Sequence, residues 1–286
     1  MNNLVRTLIY NGQVSLTVAD TTEMVAEGIR LHTLSPLSAR VFGKALSAMT
    51  FMSSCLKEET GEISLALACD GACGGISVSG NRKLFLRGYV ENTSLEGESN
   101  DENERKCLGN ECSITIIRDD GYSRPFVGAC VLPENAGLDE GFEEYFRISE
   151  QLPTRITTLV EFDEKNECVF AGVIALQPLP FADKSVLESV ANTPLQTLLQ
   201  DMKKIGIPRL LRSAFTIDEM TFEEREAVYK CNCSREYLTR VLISLGEEQL
   251  REIIREDGAA RIHCHYCNTD YEFTDEDANK IFKRTE

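Results

Sequence analysis

Four cysteines near the end of the chain have the type and spacing to do chemistry: Cys231 and Cys233 in Lys230-Cys231-Asn232-Cys233-Ser234, and Cys264 and Cys267 in His263-Cys264-His265-Tyr266-Cys267. They form a C-x-C and a C-x-x-C pair, with 30 residues between Cys233 and Cys264. Each pair can present two thiolates from one turn, and the intervening chain is long enough to return, so the set suits one tetrahedral Zn²⁺. The same spacing suits two local disulfides. Zinc ligation requires thiolate, and four thiolates around a divalent ion leave a net charge of about −2 on an electron-rich cluster. An oxidant that takes electrons from these sulfurs removes the ligands. Where metal binding supplies the folding free energy of a segment, its loss unfolds that segment. Spacing alone leaves a structural staple and a redox switch both open.

Other chemistry finds less support. The chain has three histidines, of which His263 and His265 flank Cys264. Four Cys already complete a tetrahedron, so both read as outer or surface groups, and His32, just past a helical stretch, reads as structural. No Ser/His/Asp set can be assembled, and an enzyme is not expected. The Gly71 to Gly75 stretch lacks the Gly-Lys-Ser/Thr of a phosphate loop. A thioredoxin-type site would place its C-x-x-C at a helix N-terminus after a strand, whereas Cys264 and Cys267 fall between two short strand-like pieces. Seven further cysteines are present: Cys55, Cys69, Cys73, Cys107, Cys112, Cys130 and Cys168. Cys69 with Cys73 and Cys107 with Cys112 suggest a second metal or a regulatory disulfide. A cytosolic cysteine is more often a small buried hydrophobe, and that is the reading adopted for them.

Composition narrows the partners. With 30 Lys and Arg against 46 Asp and Glu the formal charge is −16, which repels phosphate backbones. Residues 231–286 hold 8 basic and 12 acidic side chains, so the cysteine segment is acidic too and no nucleic-acid partner is expected. The first ten residues lack a basic region followed by a long apolar stretch, and no uncharged apolar run reaches membrane-spanning length. The expectation is a cytoplasmic protein with reduced thiols and no membrane partner.

The elements that must position the four cysteines follow from periodicity. Leu4 to Tyr10 and Gln13 to Ala19 alternate around Asn11-Gly12, a hairpin. Thr21 to Leu31 is helical, and Pro36 opens a long buried helix to Leu56. Strands are predicted at Ile63–Cys69, Gly75–Ser79, Leu84–Val90, Cys112–Arg118 and Pro125–Leu132, then at Ile156–Phe162 and Cys168–Leu176 after a helix over Gly141–Gln151. The acidic run Glu96 to Glu104 reads as a mobile, solvated loop. Without regular βαβ alternation, the fold class is α+β. From Asp183 to Phe215 an apolar helical pattern interrupted by Pro194 and Pro208 must be buried against the large domain or the cysteine segment. Ser234 to Arg255 is helical with a break near Gly246, a short hairpin holds Cys264 and Cys267, and Thr274 to Asp277 resembles a capping box. The organisation expected is an α+β core over 1–180, a helical, metastable linker over 181–229 and a four-Cys domain over 230–286.

These residues carry a resemblance. Lys230-Cys231-Asn232-Cys233-Ser234-Arg235-Glu236, Glu256-Asp257-Gly258, His263-Cys264-His265-Tyr266-Cys267 and Tyr271-Glu272-Phe273 look like the zinc segment of the 33-kDa redox-regulated heat-shock chaperone (chaperonin) family. Asp70 to Val78, Arg87-Gly88-Tyr89-Val90 and above all Tyr145-Phe146-Arg147-Ile148-Ser149-Glu150-Gln151-Leu152-Pro153-Thr154-Arg155 extend it over nearly the whole chain. The resemblance implies an ATP-independent holdase for unfolding client proteins. Cys231, Cys233, Cys264 and Cys267 would bind one zinc in the reduced, inactive form. Oxidation with unfolding stress would pair Cys231 with Cys233 and Cys264 with Cys267, release zinc, loosen the linker and expose client-binding surface, commonly with homodimerisation. Two features depart from the family pattern: the seven extra cysteines and the length of the acidic stretch 96–104.

Overall fold

The structure, a computed structural model, describes residues 3–217 and 222–282. It has the expected α+β class and divides into two compact units, Met1–Lys230 and Cys231–Glu286.

The first unit is organised around one helix. After the hairpin of β1 (Asn3–Ile9) and β2 (Val14–Asp20) and helix α1 (Thr22–His32), α2 runs from Pro36 to Ser54 with every residue from Leu37 onward buried. Pro36 at its first turn has the φ a helix start needs and no N–H to leave unpaired. A helix that is apolar or small all round must be covered on all sides. Here β2, β8 (Arg155–Phe162) and β9 (Cys168–Pro178) contact α2 from one sheet. From a second sheet come β3 (Glu62–Cys69), β4 (Gly75–Asn81) and β5 (Phe85–Val90). At Gly43 an added Cβ would lie 2.8 Å from Val25 and 2.9 Å from Val160, so glycine sets how closely α1 and β8 approach α2. The first sheet has the order β10-β1-β2-β9-β8 and the second β11-β5-β4-β3-β6-β7, where β6 is Cys112–Asp119, β7 is Phe126–Val131, β10 is Glu223–Glu226 and β11 is Val228–Tyr229.

Two cations lie inside this helix. Arg40 and Lys44 are buried, and a buried charge must be paired. The partner comes from the acidic stretch expected to be a mobile, solvated loop. That expectation fails at Asp101, where helix α3 (Asp101–Leu108) begins, with the Asn100 side chain accepting from Asn103 N at 2.9 Å. Glu104, 1% exposed, accepts from Arg40 Nε at 2.8 Å and from Lys44 Nζ at 2.8 Å, and Asp101 also pairs with Arg40. Its carboxylate further accepts from Leu138 N, the first residue of α4 (Leu138–Tyr145), and Asp139 of α4 stands 3.5 Å from Lys44. Burial by itself would raise the Glu104 carboxyl, but Lys44 and Arg40 outweigh it and hold it below the usual range. At Asp139 burial wins, and the carboxyl is raised.

After α4 the chain makes one wide π-type turn, Phe146–Glu150, inside the stretch that carries most of the resemblance. Glu150 accepts from the Tyr145 hydroxyl at 2.9 Å and pairs with Arg118 at 2.8 Å, so the motif fastens α4 to β6.

The apolar face between Asp183 and Phe215 is buried on the first sheet. Helices α5 (Lys184–Ala191), α6 (Leu195–Ile205) and α7 (Ile207–Ala214) place Val190, Leu195, Leu199, Met202, Ile207, Leu210 and Leu211 in one cluster with residues of β1, β2, β8 and β9. Of the helical connection expected beyond Phe215, residues 218–221 lie outside the described residues, and 223–226 and 228–229 are strands instead. β10 (Glu223–Glu226) pairs antiparallel with β1, and β11 (Val228–Tyr229) pairs parallel with β5. Among the extra cysteines, Cys73, Cys107 and Cys130 are buried and free, as expected of small hydrophobes. Cys69 and Cys112 are not: they are opposite one another in the β3–β6 register and are joined by a disulfide.

Replacing Glu104 by Gln leaves two buried cations without their main counter-charge and is expected to lower the unfolding free energy by about 3 kcal/mol, read by urea denaturation. Because the Glu104 carboxyl is depressed in the folded chain, its contribution is complete above the ordinary glutamate value of about 4.3 and disappears as pH falls through the depressed value. Glu104→Gln is expected to flatten that acid limb.

Candidate metal centre

The second unit is small, and its sequence sets each cysteine at the end of an element. Cys231 and Cys233 lie in extended chain before α8 (Arg235–Leu245), whose start is fixed by Ser234 Oγ accepting from Tyr237 N at 3.1 Å. Cys233 N donates to Cys231 Sγ at 3.5 Å, a hydrogen bond inside the C-x-C pair. Gly246, with a positive φ of 100°, breaks the helix before α9 (Glu247–Asp257), as the sequence indicated. Strands β12 (Ala260–Cys264) and β13 (Thr269–Phe273) then pair with Cys264 opposite Thr269, and Cys267 sits in the turn between them. Helix α10 (Asp275–Phe282) starts at the expected box, Thr274 N and Oγ1 both donating to Asp277 Oδ2. Among the described residues the buried core cluster is Leu238, Leu242, Leu250, Ile254, Ala260, Phe273 and Ala278, with Ile262, Tyr271, Ile281 and Phe282 packed against it partly buried. Arg235 braces it, stacking on Phe273 at 4.3 Å and pairing with Asp277 at 2.8 Å.

These elements bring all four cysteine sulfurs within 4.8 Å of one another. Zn–S bonds of about 2.3 Å in a tetrahedron put sulfurs about 3.8 Å apart. Cys231 and Cys264 stand at 3.7 Å, and Cys233 and Cys267 are closer, at 3.1 Å. Both of these contacts run between the C-x-C and the C-x-x-C pair. His263 lies outside the cluster, its Nδ1 2.8 Å from Asp270 Oδ1, and its ring meets His265 edge-on. His32 is 3.1 Å from the Tyr229 hydroxyl in the other unit's interior, a structural contact.

Two groups around the sulfurs were not evident from spacing. The Tyr271 hydroxyl is 3.3 Å from Cys233 Sγ, and Thr269 Oγ1 is 3.3 Å from Cys267 Sγ. Both residues are on β13 two positions apart, so alternation carries both side chains to one face, and the Tyr271-Glu272-Phe273 stretch was the signal available. Burial raises Cys233, but hydrogen bonds from Tyr271 and from the neighbouring cysteines outweigh it and bring the thiol to about 7. Burial raises Cys231, and pushes Cys267 up to about 11. Protons are therefore shared unevenly over the cluster, and a divalent cation entering it would displace them. The four cysteines are positioned to hold a metal ion, and an all-sulfur set favours soft or borderline ions such as zinc. Replacing Tyr271 by Phe removes a hydroxyl donor to Cys233 and is expected to weaken zinc binding about 10-fold in competition with a chromogenic chelator, without unfolding the metal-loaded chain.

Comparison with known proteins agrees with the geometry. The family model described as "Hsp33 protein" matches residues 2–274. A 33 kDa chaperonin of Clostridium novyi (strain NT) is 32% identical, over 99% of this chain and 98% of the relative. Another, from Acetivibrio thermocellus, is 32% identical over 98% of this chain and 96% of the relative. Among solved structures, the 33 kDa chaperonin (heat shock protein 33 homolog) of Thermotoga maritima shares the fold, with a TM-score of 0.83, 24% identity, and coverage of 99% of this chain and 98% of that one. The family model spans both the helix-centred unit and the cysteine cluster, and the chain belongs to the Hsp33 family.

Proposed function

We propose that the chain is a redox-regulated, ATP-independent chaperone, a holdase that is inactive with its four cysteines reduced on zinc and active once they are oxidised. Membership of the Hsp33 family and the name 33 kDa chaperonin borne by its relatives support the chaperone reading. The observation that carries the switch is a cluster of four sulfurs in a unit with a core of seven buried residues. A unit with so little buried apolar surface depends on its staple.

Bound zinc would supply charge for four thiolates and a cross-link between the two halves of the unit, and no redox chemistry of its own. The thiolates are the reductant. Each pair gives two electrons to a peroxide, whose O–O bond breaks to two hydroxides, and one S–S bond forms. Disulfide sulfur is a poor ligand, so the cross-link is lost and the small unit unfolds. The pairing proposed is Cys231 with Cys233 and Cys264 with Cys267. In an unfolded chain residues two and three apart meet far more often than residues more than thirty apart, and this favours pairing within each motif.

Client binding needs apolar surface. The linker of 181–229 holds three short helices whose buried face covers the first sheet, and lifting them would uncover both faces at once. Homodimerisation of the oxidised form and a cytoplasmic location belong to the same proposal. Among the described residues no helix is long and apolar enough to cross a membrane.

Reduced, zinc-loaded chain treated with peroxide at raised temperature is expected to release one zinc per chain and, in the same samples without ATP, to suppress aggregation of an unfolding model protein. Both effects should reverse with a thiol reductant, and the Cys231→Ser chain should have lost the coupling. Zinc that stays bound, or leaves with no gain in suppression, would make the cluster a staple only.

A further inference from the structure

Four of the cysteines outside the metal centre come from two short segments that the fold lays side by side. Cys69 ends β3 and Cys112 begins β6, and the two are joined. Beyond that bond the segments stay laced together. Asp70 N donates to Glu111 O at 3.1 Å and Glu111 N to Asp70 Oδ1 at 2.9 Å. Gly71 N donates to Leu108 O at 3.2 Å, and Cys73 N to Cys107 O at 2.9 Å. At Gly71 a Cβ would fall 2.3 Å from Cys107 O and 2.5 Å from Gly109 N, so only glycine allows this approach. It sets Cys73 and Cys107 side by side on that backbone bond, and they are 0% and 5% exposed.

We propose that Cys73 and Cys107 are the second half of a two-disulfide clasp, closing under oxidation beside Cys69–Cys112 to fasten the end of α3 to the turn between β3 and β4. The segment so held has a reason to be held. Cys107 lies one turn after Glu104 and its Sγ is 3.1 Å from Glu104 O. The clasp therefore secures the helix that neutralises Arg40 and Lys44 inside α2. It stands in the unit Met1–Lys230 and does not depend on the cluster in Cys231–Glu286 being a switch.

The chemistry balances with a peroxide as oxidant. Cys107 is on α3 and Cys73 in the turn between β3 and β4, so local opening of that turn exposes first the thiol of Cys73. Its thiolate attacks one peroxide oxygen, the O–O bond breaks, and the leaving hydroxide takes the Cys73 proton to become water. Cys107 then attacks the sulfenic sulfur, the S–OH bond breaks, and the second water leaves with the Cys107 proton. Both thiols are buried, so the reaction waits on local opening of the turn, and heat and peroxide act together.

The test uses the full-length, zinc-loaded chain, treated with hydrogen peroxide at raised temperature, its free thiols alkylated, then digested without reductant at acidic residues. Asp70 lies between Cys69 and Cys73 and Glu111 between Cys107 and Cys112, so the peptides separate the two bonds. The expected map has Cys69 linked to Cys112 and Cys73 linked to Cys107. Recovery of Cys73 and Cys107 as alkylated thiols after zinc has left, or either linked to another cysteine, overturns the clasp. Zinc release is read at the other four cysteines, so neither result decides the other. With Cys69–Cys112 in place the new bond closes a path of only about nine residues, so the melting temperature of the oxidised chain should exceed that of oxidised Cys73→Ala/Cys107→Ala by about 5 °C more than the corresponding difference between reduced forms. An equal difference in both redox forms also overturns the proposal.

Discussion

A helix buried on every side with two cations in it is the constraint the larger unit answers to. Arg40 and Lys44 are held within the body of the fold, where an unpaired charge costs several kcal/mol. The neutralising groups come from far along the chain: Glu104 and Asp101 from α3, Asp139 from α4. α3 and α4 are thereby obliged to meet over one face of α2, and the strands that lead to and from them inherit their positions. Glu104 also accepts from the first N–H of α4. One carboxylate thus satisfies two cations and a helix start, which is why it stays ionised despite its burial.

The two units obtain their stability by different means. Met1–Lys230 buries two apolar clusters, one around α2 between the sheets and one beneath α5 to α7. Cys231–Glu286 has one cluster of seven residues and four convergent sulfurs. An oxidant acts on sulfur and leaves hydrocarbon burial untouched. Under the proposed switch an oxidant would therefore discriminate between the units without any recognition event: the one cross-linked through a metal held by its four sulfurs would be weakened, while the other would keep its cores.

The sequence disclosed those features whose cause is local. A run of apolar or small positions after Pro36, interrupted only by Arg40 and Lys44, gave α2, Asn11-Gly12 gave the first hairpin, and C-x-C with C-x-x-C gave the cluster, since the members of each pair lie two or three residues apart. Where the cause is distant the reading failed. Glu104 looks like any residue of a solvated acidic run until α2 is known to present two cations to it. Cys69 and Cys112 are 43 residues apart, and only the β3–β6 register makes them neighbours. Glu223-Glu224-Arg225-Glu226 has no alternation of apolar and polar residues, and it is a strand because β1 offers an open edge. Tyr271 was visible within a motif, but its hydroxyl contact with Cys233 depends on how the β12–β13 hairpin is turned.

Under the proposed switch, the covalent path from the cysteines to α5–α7 runs through 215–230, and that path is anchored at its end. β11 is only two residues long, yet Val228 N and Lys230 N donate to Leu84 O and Leu86 O at 3.0 and 2.7 Å. The Tyr229 ring occupies the space a side chain at Gly28 would need, while its hydroxyl accepts from Gly88 N at 3.2 Å and lies 2.8 Å from Gly88 O. The apolar partners of α6 and α7 are residues of β1, β2, β8 and β9, inside the same unit. Loss of the sulfur cross-link therefore does not by itself strip those helices of their partners. Something must also pull Tyr229 from its slot and lift the helices from the sheet, and thermal unfolding supplies that. Oxidation and heat act on different interactions, so a chain built this way responds fully only when both are present.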